Sequence, residues 1–333
     1  MSEKGYVDSF VAFIDVLGFK EFVKNNTFDS VISLFDNIKI CLKIIPTLGN
    51  DIIDEQILKT VTYNIISDSI VISVPKTTKY SLEVLLYVVN LVVFDILHNY
   101  NLTCRGAIAE GDFYSEKDVA FGPALIDAYL LERDVAEYPR IIFTLKTVNL
   151  YQKISNRDLT KNSYLMYPEI DDELFIADYI GFSLFGFAIS LKEGCMTNRD
   201  VNLILNKLKT NIENNLETQI DDKTIKKYLY LKDYYNKMIS FANKNPSFNF
   251  KCNPIIKESK NYNNSILQNY SNNMISNSNN IINGNIGNNT NIKLYNKVQS
   301  EKEDTELLKL IKKLPLKKRT EFISMLYDEL GEE

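Results

Sequence analysis

The first part of the chain alternates between short apolar runs and segments with helical periodicity. The first run ends on Asp15, and Gly18 interrupts the pattern before a helical segment begins. Two β-branched runs flank Ser67-Asp68-Ser69, a composition that favours a tight hairpin. In chain order the predicted elements are strand Ser9–Asp15, helices from Phe19 and from about Asp29 to Ile44, strands Val61–Ile66 and Ile70–Val74, a helix capped by Ser81, strand Leu102–Glu110 ended by Gly111-Asp112, a turn at Tyr114–Lys117 returning towards Phe121, a helix from Pro123 to about Asp134, and strand Arg140–Thr144.

The order of these elements predicts the fold class. It is β–α–β–β–α–β, followed by a short strand, a helix and a strand, which is typical of a ferredoxin-like α+β fold with helices on one face of an antiparallel sheet. Farther along, Leu174–Ala188 is rich in Phe, Ile and Gly and predicts more strand, and helical patterns cover Asp200–Leu216 and Lys223–Asn243. We therefore expect a sheet domain, residues 1–190, and a helical appendage, residues 191–257.

The composition changes abruptly at about Lys257. From Asn261 to Asn296 asparagine dominates, with Ser, Gly and spaced Ile. Residues 258–297 are either a flexible linker, because such a tract buries too little apolar surface to fold alone, or a segment that self-associates through asparagine ladders. Residues 298–333 predict two short amphipathic helices around Pro315, a small C-terminal helical module. Residues 258–333 therefore offer a route to oligomers larger than a dimer.

Composition narrows the classes of function. The chain has 333 residues, 45% of them apolar, and a formal net charge of −5 with both signs mixed along it. A sizeable core is expected, and a nucleic-acid-binding surface is not. The four cysteines are far apart and form no CxxC pair, which fits reduced thiols in a cytoplasmic protein.

The position of the only histidine, His98, argues against two kinds of site. It adjoins the longest apolar run and looks structural, so neither a zinc site nor a Ser–His–Asp triad is expected. The run itself, Val84–Leu97, is interrupted by Asn90 and Asp95, and by length and polarity we expect it not to span a membrane. The N-terminus has no apolar stretch suited to a signal peptide.

Asp15 and Asp68 are the residues that carry candidate chemistry. Each has a plain structural reading as a turn residue, because aspartate favours turns. In a β–α–β–β order, however, the end of the first strand and the following hairpin lie side by side on one sheet. Two carboxylates there can share Mg²⁺ or Mn²⁺, which prefer oxygen ligands. Two such ions can neutralise a triphosphate and activate a ribose hydroxyl.

Four motifs, in order, resemble the class III adenylate and guanylate cyclases. Residues 13–19, Phe-Ile-Asp-Val-Leu-Gly-Phe, look like the F-x-D-x-x-G-F metal motif of that family, and Ile66–Ile70 looks like the hairpin with its second metal aspartate. Arg105–Gly111 is similar to the strand that follows, and Phe121–Glu132 resembles the glycine-opened helix after it. The resemblance spans about Val11 to Phe143.

The resemblance implies a set of site residues. Asp15, Asp68 and the backbone carbonyl of Val16 would hold two Mn²⁺ or Mg²⁺ ions. The backbone amides of Leu17, Gly18 and Phe19 would face phosphate oxygens, as helix N-termini suit anions. Class III sites form between two protomers, so a homodimer is also implied.

The chain departs from purine cyclases on the glycine-opened helix. Where that family has a transition-state Asn and Arg, the register places Ile126 and Leu130. Arg105 and Arg140 are candidates for the missing positive charge, the alternative being salt bridges with acids such as Glu110 or Glu132. Tyr63 is a candidate to stack on a base, the alternative being an ordinary sheet aromatic.

With these departures, the chain looks more like the pyrimidine cyclases of bacterial antiphage defence, the Pycsar group. That resemblance implies conversion of UTP or CTP to a cyclic 3′,5′-monophosphate and pyrophosphate, and an effector protein that responds to the product. Two alternatives stay open: a degenerate cyclase fold that senses nucleotides, and an assembly protein driven by residues 258–333.

Overall fold

The computed structural model describes residues 5–44, 60–117, 119–156, 164–168, 174–219, 221–246 and 248–255. Within them the chain forms eight strands and eight helices. The elements up to residue 116 are β1 (Val7–Leu17), α1 (Phe19–Asn25), α2 (Phe28–Ile44), β2 (Thr62–Ile66), β3 (Ser69–Pro75), α3 (Ser81–Tyr100) and β4 (Thr103–Glu116). Those that follow are β5 (Val119–Phe121), α4 (Pro123–Val135), β6 (Ile141–Thr144), α5 (Leu145–Ser155), β7 (Met166–Pro168), β8 (Leu174–Ala177), α6 (Tyr179–Lys192), α7 (Asn198–Thr218) and α8 (Asp222–Lys244).

The strands form one sheet in the order β2-β3-β1-β4-β6-β8-β7, with β5 paired to β4. β1 is antiparallel to both of its neighbours, so that Asp15 lies opposite Ser69 on β3 and opposite Arg105 on β4. The pairing of β4 with β6 is parallel, and the other described pairs are antiparallel. The predicted α+β class, with a largely antiparallel sheet, is therefore confirmed.

The sheet has two unlike faces because successive side chains of a strand point in opposite directions. We call the first the core face, where β1 contributes Phe10, Ala12, Ile14 and Val16 to one large hydrophobic cluster that also contains buried residues of α2, α3, α6, α7 and α8. The opposite face, which we call the α4 face, carries Val11, Phe13 and Asp15 of β1. There Val11 packs with Val71, Phe113 and Ala124, the last of these from α4.

The prediction that helices cover one face is therefore wrong. Helix α4 belongs to the crossover connection that the parallel neighbours β4 and β6 require, and the packing of Ala124 against Val11 places it on the second face. Its inward residues Ala124 and Ala128 are small and fully buried, which lets the helix approach the sheet closely.

Helix α3 is the centre of the core face. It has 20 residues with a mean hydropathy of 1.8, so its length and composition alone would suffice to cross a membrane. The sequence argument that the run is too short and too polar is therefore wrong. The apolar part of α3 is nevertheless buried throughout inside the protein, as in the core helix of a globular domain. His98 stacks on Phe94 within this helix, and burial lowers the pKa of its imidazole to about 4, which agrees with a structural role.

Three local predictions differ from the structure. Leu174–Ala188 is strand only as far as Ala177, and α6 follows; this helix is buried on nearly every side, so it lacks the amphipathic period by which helices are recognised. Ser81 does not cap α3 but begins it, and its hydroxyl donates to the Pro75 carbonyl at 2.6 Å. Strand β4 continues through Gly111, whose φ of 149° suits glycine, to Glu116.

The predicted helices of the appendage are present as α7 and α8. Both bury apolar residues in the same hydrophobic cluster as the sheet. The predictions for residues 258–297 and 298–333 lie outside the described residues.

Candidate functional site

Asp15 stands near the end of β1 on the α4 face. Its side chain is 24% exposed. The neighbouring positions on either side of the strand are Ser69 and Arg105. An apolar strand carries this carboxylate to the point where the sheet meets the β2–β3 turn.

Asp68 occupies that turn. Its backbone carbonyl accepts a hydrogen bond from the Val16 N–H at 2.8 Å, which joins the turn to β1 beyond Asp15. Ser67, the other turn residue, has a left-handed φ of 58°, as tight hairpins require. Burial raises the pKa of Asp15, and the charge of Asp68 adds to that rise. The two aspartates predicted to lie together are therefore neighbours.

Arg105 is held between two carboxylates. Its Nη2 lies 3.5 Å from Oδ2 of Asp15, and its Nε contacts Oε1 of Glu132 on α4. Glu132 is 3% exposed and follows Ala124 and Ala128 at four-residue spacing, so α4 directs it onto the sheet. The salt bridge to Glu132, one of the two readings of Arg105, is present.

Burial governs the protonation of both carboxyl groups. It raises the pKa of Asp15; Arg105 opposes this, Asp68 adds to it, and Lys227 opposes it. Burial likewise raises the pKa of Glu132 against the effect of Arg105. The carboxylates at this place are thus incompletely compensated, and a further positive charge would stabilise them.

Lys227 of α8 is a member of the site that the sequence reasoning missed. It is half-buried, and it interacts electrostatically with Asp15 and Arg105. Helix α8 lies far from the motifs in sequence, and the lysine stands among others in Lys223–Lys232, so no local pattern singles it out. We call Asp15, Asp68, Arg105, Glu132 and Lys227 the Asp15 cluster.

The oxygen atoms of the Asp15 cluster are of the type that Mg²⁺ and Mn²⁺ prefer. The carboxylates of Asp15 and Asp68 belong to this end of β1 and the adjoining hairpin, and because the Val16 N–H faces the hairpin, the carbonyl of the same residue points to that edge as well. Within the described part of the chain no group of three or more His, Cys, Asp or Glu side chains is placed to hold a metal ion. Two carboxylates and a carbonyl therefore fit a metal whose remaining ligands come from a substrate or water.

The segment expected to face phosphates directly follows these oxygens. Gly18 has a φ of 86° and precedes α1, and its carbonyl accepts from the Phe22 N–H at 3.0 Å. Only glycine adopts this conformation readily. The amides of Leu17, Gly18 and Phe19 thus stand where β1 turns into a helix of seven residues.

Two predicted site residues lie elsewhere. Arg140 is 6% exposed, and its guanidinium packs against the rings of Tyr138 and Tyr230, with its Cζ 5.6 and 6.0 Å from their centroids. It also donates to the Val135 carbonyl at 3.2 Å. Tyr63 pairs with Ile72 and packs in the core-face cluster, on the opposite side of the sheet from Asp15.

Part of the outer surface of α4 is apolar. Ile126 is 58% exposed and Leu130 is 37% exposed, and Tyr129 beside them packs edge-on against Phe13. The positions that carry Asn and Arg in purine cyclases are thus on an accessible surface here, with no polar group to offer.

Comparison with known proteins adds no assignment: no protein-family model matches the chain, and no curated protein matches it significantly.

Proposed function

We propose that the chain is a metal-dependent nucleotide cyclase. It would convert a nucleoside triphosphate, with UTP or CTP favoured, to a cyclic 3′,5′-monophosphate and pyrophosphate. The observation that carries the proposal is the pairing of Asp15 with Asp68 through the Val16–Asp68 hydrogen bond at the end of β1. A strand end and a neighbouring hairpin that present two carboxylates, next to a glycine-opened helix, are the arrangement that the family resemblance predicts.

Each residue has a definite task in this reaction. The 3′-hydroxyl oxygen forms a bond to the α-phosphorus, the bond from that phosphorus to the pyrophosphate oxygen breaks, and the hydroxyl proton is released to solvent. Asp15, Asp68 and the Val16 carbonyl would hold Mg²⁺ or Mn²⁺, which supplies charge neutralisation and activation of the hydroxyl. The amides of Leu17, Gly18 and Phe19 would bind phosphate oxygens, and Arg105 would offset their charge.

In the absence of substrate, Arg105 forms an ion pair with Asp15. At 3.5 Å from Asp15 its ion pair is long, and the pair is partly exposed, so a divalent cation can displace it. Arg140, buried against two tyrosines, is less suited than Arg105 to contact a phosphate. We therefore assign the phosphate role to Arg105 and a packing role to Arg140.

The remainder of the proposal follows from the family. The enzyme would act as a homodimer, and the exposed apolar surface of α4 is a suitable place for a second protomer. The cyclic product would activate an effector protein, with antiphage defence as the context, and the protein would act in the cytoplasm.

An NTP panel tests the proposal. The purified full-length protein is incubated with ATP, GTP, CTP and UTP separately in the presence of Mn²⁺, and cyclic product and pyrophosphate are measured by mass spectrometry and a coupled assay. We expect a pyrimidine cyclic 3′,5′-monophosphate. Absence of both products with all four substrates, from protein whose circular dichroism shows it folded, would falsify the proposal.

A nucleotide sensor without turnover is the second candidate. It is favoured by the apolar side chains at Ile126 and Leu130, and by the engagement of Arg105 with two carboxylates. Calorimetric titration with the same nucleotides separates the two: saturable binding without pyrophosphate release supports the sensor.

A further inference from the structure

We infer that Lys227 binds the polyphosphate of the substrate, so that helix α8 forms part of the site that Asp15 begins. This inference rests on the proposed function, since it names the group that supplies positive charge to that site. It extends the site to a helix outside the segment that resembles the cyclases.

The placement of α8 is fixed by contacts on the same side of the helix as Lys227. Tyr230, one turn later, stacks on Tyr138 at a centroid distance of 5.0 Å and an interplanar angle of 5°. Tyr234, one further turn along, donates to Asp178 at 2.7 Å. Because residues three and four apart share a helix face, Lys227 lies on the face that packs against the sheet.

Tyr138 lies close to Arg105 in the structure, because a backbone hydrogen bond joins their two segments. Tyr138 and Arg140 lie between α4 and β6, and the Arg140 carbonyl accepts from the N–H of Gly106, the residue after Arg105, at 3.0 Å. The stacked tyrosines therefore bring the start of α8 to the end of the sheet where Arg105, Asp15 and Glu132 meet. The electrostatic interaction of Lys227 with Asp15 and Arg105 agrees with this geometry.

Lys227 and Arg105 differ in their ion-pair partners. Arg105 contacts two carboxylates, whereas Lys227 has no ion-pair partner within 4.0 Å among the described residues. A half-buried ammonium without a contact partner has lost part of its hydration and has not gained an ion pair in return. A triphosphate beside Asp15 would supply that partner, and ammonium is a strong point-charge ligand for phosphate.

The charge balance of the Asp15 cluster supports the same role. Three carboxylates, from Asp15, Asp68 and Glu132, face two cations, Arg105 and Lys227, while Asp221 and Lys223 at the start of α8 act on Lys227 with opposite signs. Metal ions would offset the aspartates, which leaves Lys227 available to the substrate. Ile126 and Leu130 supply no positive charge, so another residue of the protein must provide the cation that contacts the phosphates.

Binding of inorganic tripolyphosphate in the presence of Mn²⁺ tests the inference by calorimetry on the full-length protein. We expect Lys227→Met to weaken binding at least tenfold and Lys227→Arg to retain most of it. Lys226→Met is the matched control, because it removes the same charge from the adjacent position of α8, and it should change the affinity less than twofold. The thermal unfolding midpoints of the three variants are compared with the wild type to confirm that each is folded.

The outcomes separate this inference from the proposed function. If Lys227→Met binds tripolyphosphate as the wild type does, or if the wild type does not bind it, the inference is overturned. If Lys227 is needed for binding but no nucleotide is cyclised by the wild type, the inference stands and the cyclase proposal fails. If the wild type cyclises a nucleotide and Lys227→Met has the same kcat/KM, the cyclase proposal stands and the inference fails.

Discussion

Two carboxylates that each follow or end a strand of the sheet, Asp15 and Asp178, are stabilised by different kinds of partner. Asp178 follows β8, is 4% exposed, and accepts from the Gly181 N–H at 2.9 Å and from the Tyr234 hydroxyl at 2.7 Å. Asp15 is more exposed, and the groups that act on it are charged: Arg105, Asp68 and Lys227.

The difference separates a structural carboxylate from a functional candidate. Short hydrogen bonds from neutral donors fix Asp178 as the cap of α6, and a Cβ added at Gly181 would lie 2.1 Å from its Oδ2. Asp15 is held by charges at longer range, which a cation or an anion can rearrange. A carboxylate with charged, replaceable partners can exchange them for a ligand, whereas one enclosed by neutral donors cannot.

Replacement of Asp15 should have the largest effect. Under the proposed function, Asp15→Asn should lower kcat/KM by at least about a thousandfold, equivalent to about 4 kcal/mol of transition-state stabilisation, since a metal ligand is lost. The free energy of unfolding should change by less than about 1 kcal/mol, because the amide has the same shape and no buried charge. Steady-state kinetics and urea unfolding measure the two quantities. Asp112→Asn, an exposed carboxylate of β4, is the control and should leave both unchanged; a fully active Asp15→Asn would contradict the assignment.

The pH dependence of stability should reveal Asp178. Burial raises the pKa of its carboxyl from 3.8 to about 6, so the folded state binds a proton between these values that the unfolded state does not. Stability from this group is therefore fully present below about pH 4 and is lost as the pH rises through about 6, by up to about 3 kcal/mol.

Urea unfolding of the wild type and Asp178→Asn between pH 4 and 7 isolates this effect. The stability of the wild type relative to Asp178→Asn should fall across the interval. A difference that stays constant over it would show that Asp178 does not titrate there.

Removal of Arg105 should give the smallest of the three main effects, and this effect is a loss of stability. Arg105→Met leaves the buried Glu132 without its cation and should lower the free energy of unfolding by about 2 kcal/mol; partial exposure of the guanidinium limits the cost. The double variant Arg105→Met/Glu132→Gln should recover most of this loss, since it removes the unpaired charge as well. Urea unfolding of Arg105→Met, Glu132→Gln and the double variant completes the double-mutant cycle, and strictly additive losses would show that the two residues are not coupled.

The parts of the site that the sequence predicted are those fixed by local patterns. Asp15 ends an apolar run and Asp68 sits between two β-branched runs, so strand order alone brings them together. Glu132 could be predicted as a partner of Arg105 because it has the opposite charge and belongs to the helix that follows the Arg105 strand. These inferences depend on one sheet and on one helix connected directly to it.

The parts that it missed depend on packing between distant segments. The face on which Tyr63 lies is set by the register of the β2–β3 hairpin, and one residue of shift would reverse it. Arg140 is predicted at a phosphate, but it is buried and packs against two tyrosines, one of them from α8. Helix α6 was taken for strand because burial on all sides removes its periodicity.

The Asp15 cluster is made of residues that lie far apart in the sequence, and this separation affects when the cluster forms. Val7 pairs with Phe113, and Lys227 follows Asp15 by more than two hundred residues. Such non-local contacts form late, since long loops must close before the contacts are made. During synthesis the N-terminal part emerges first, and a chain stopped before residue 227 has the aspartates without the lysine. The complete set of charges therefore comes together only after α8 has left the ribosome and packed against the sheet.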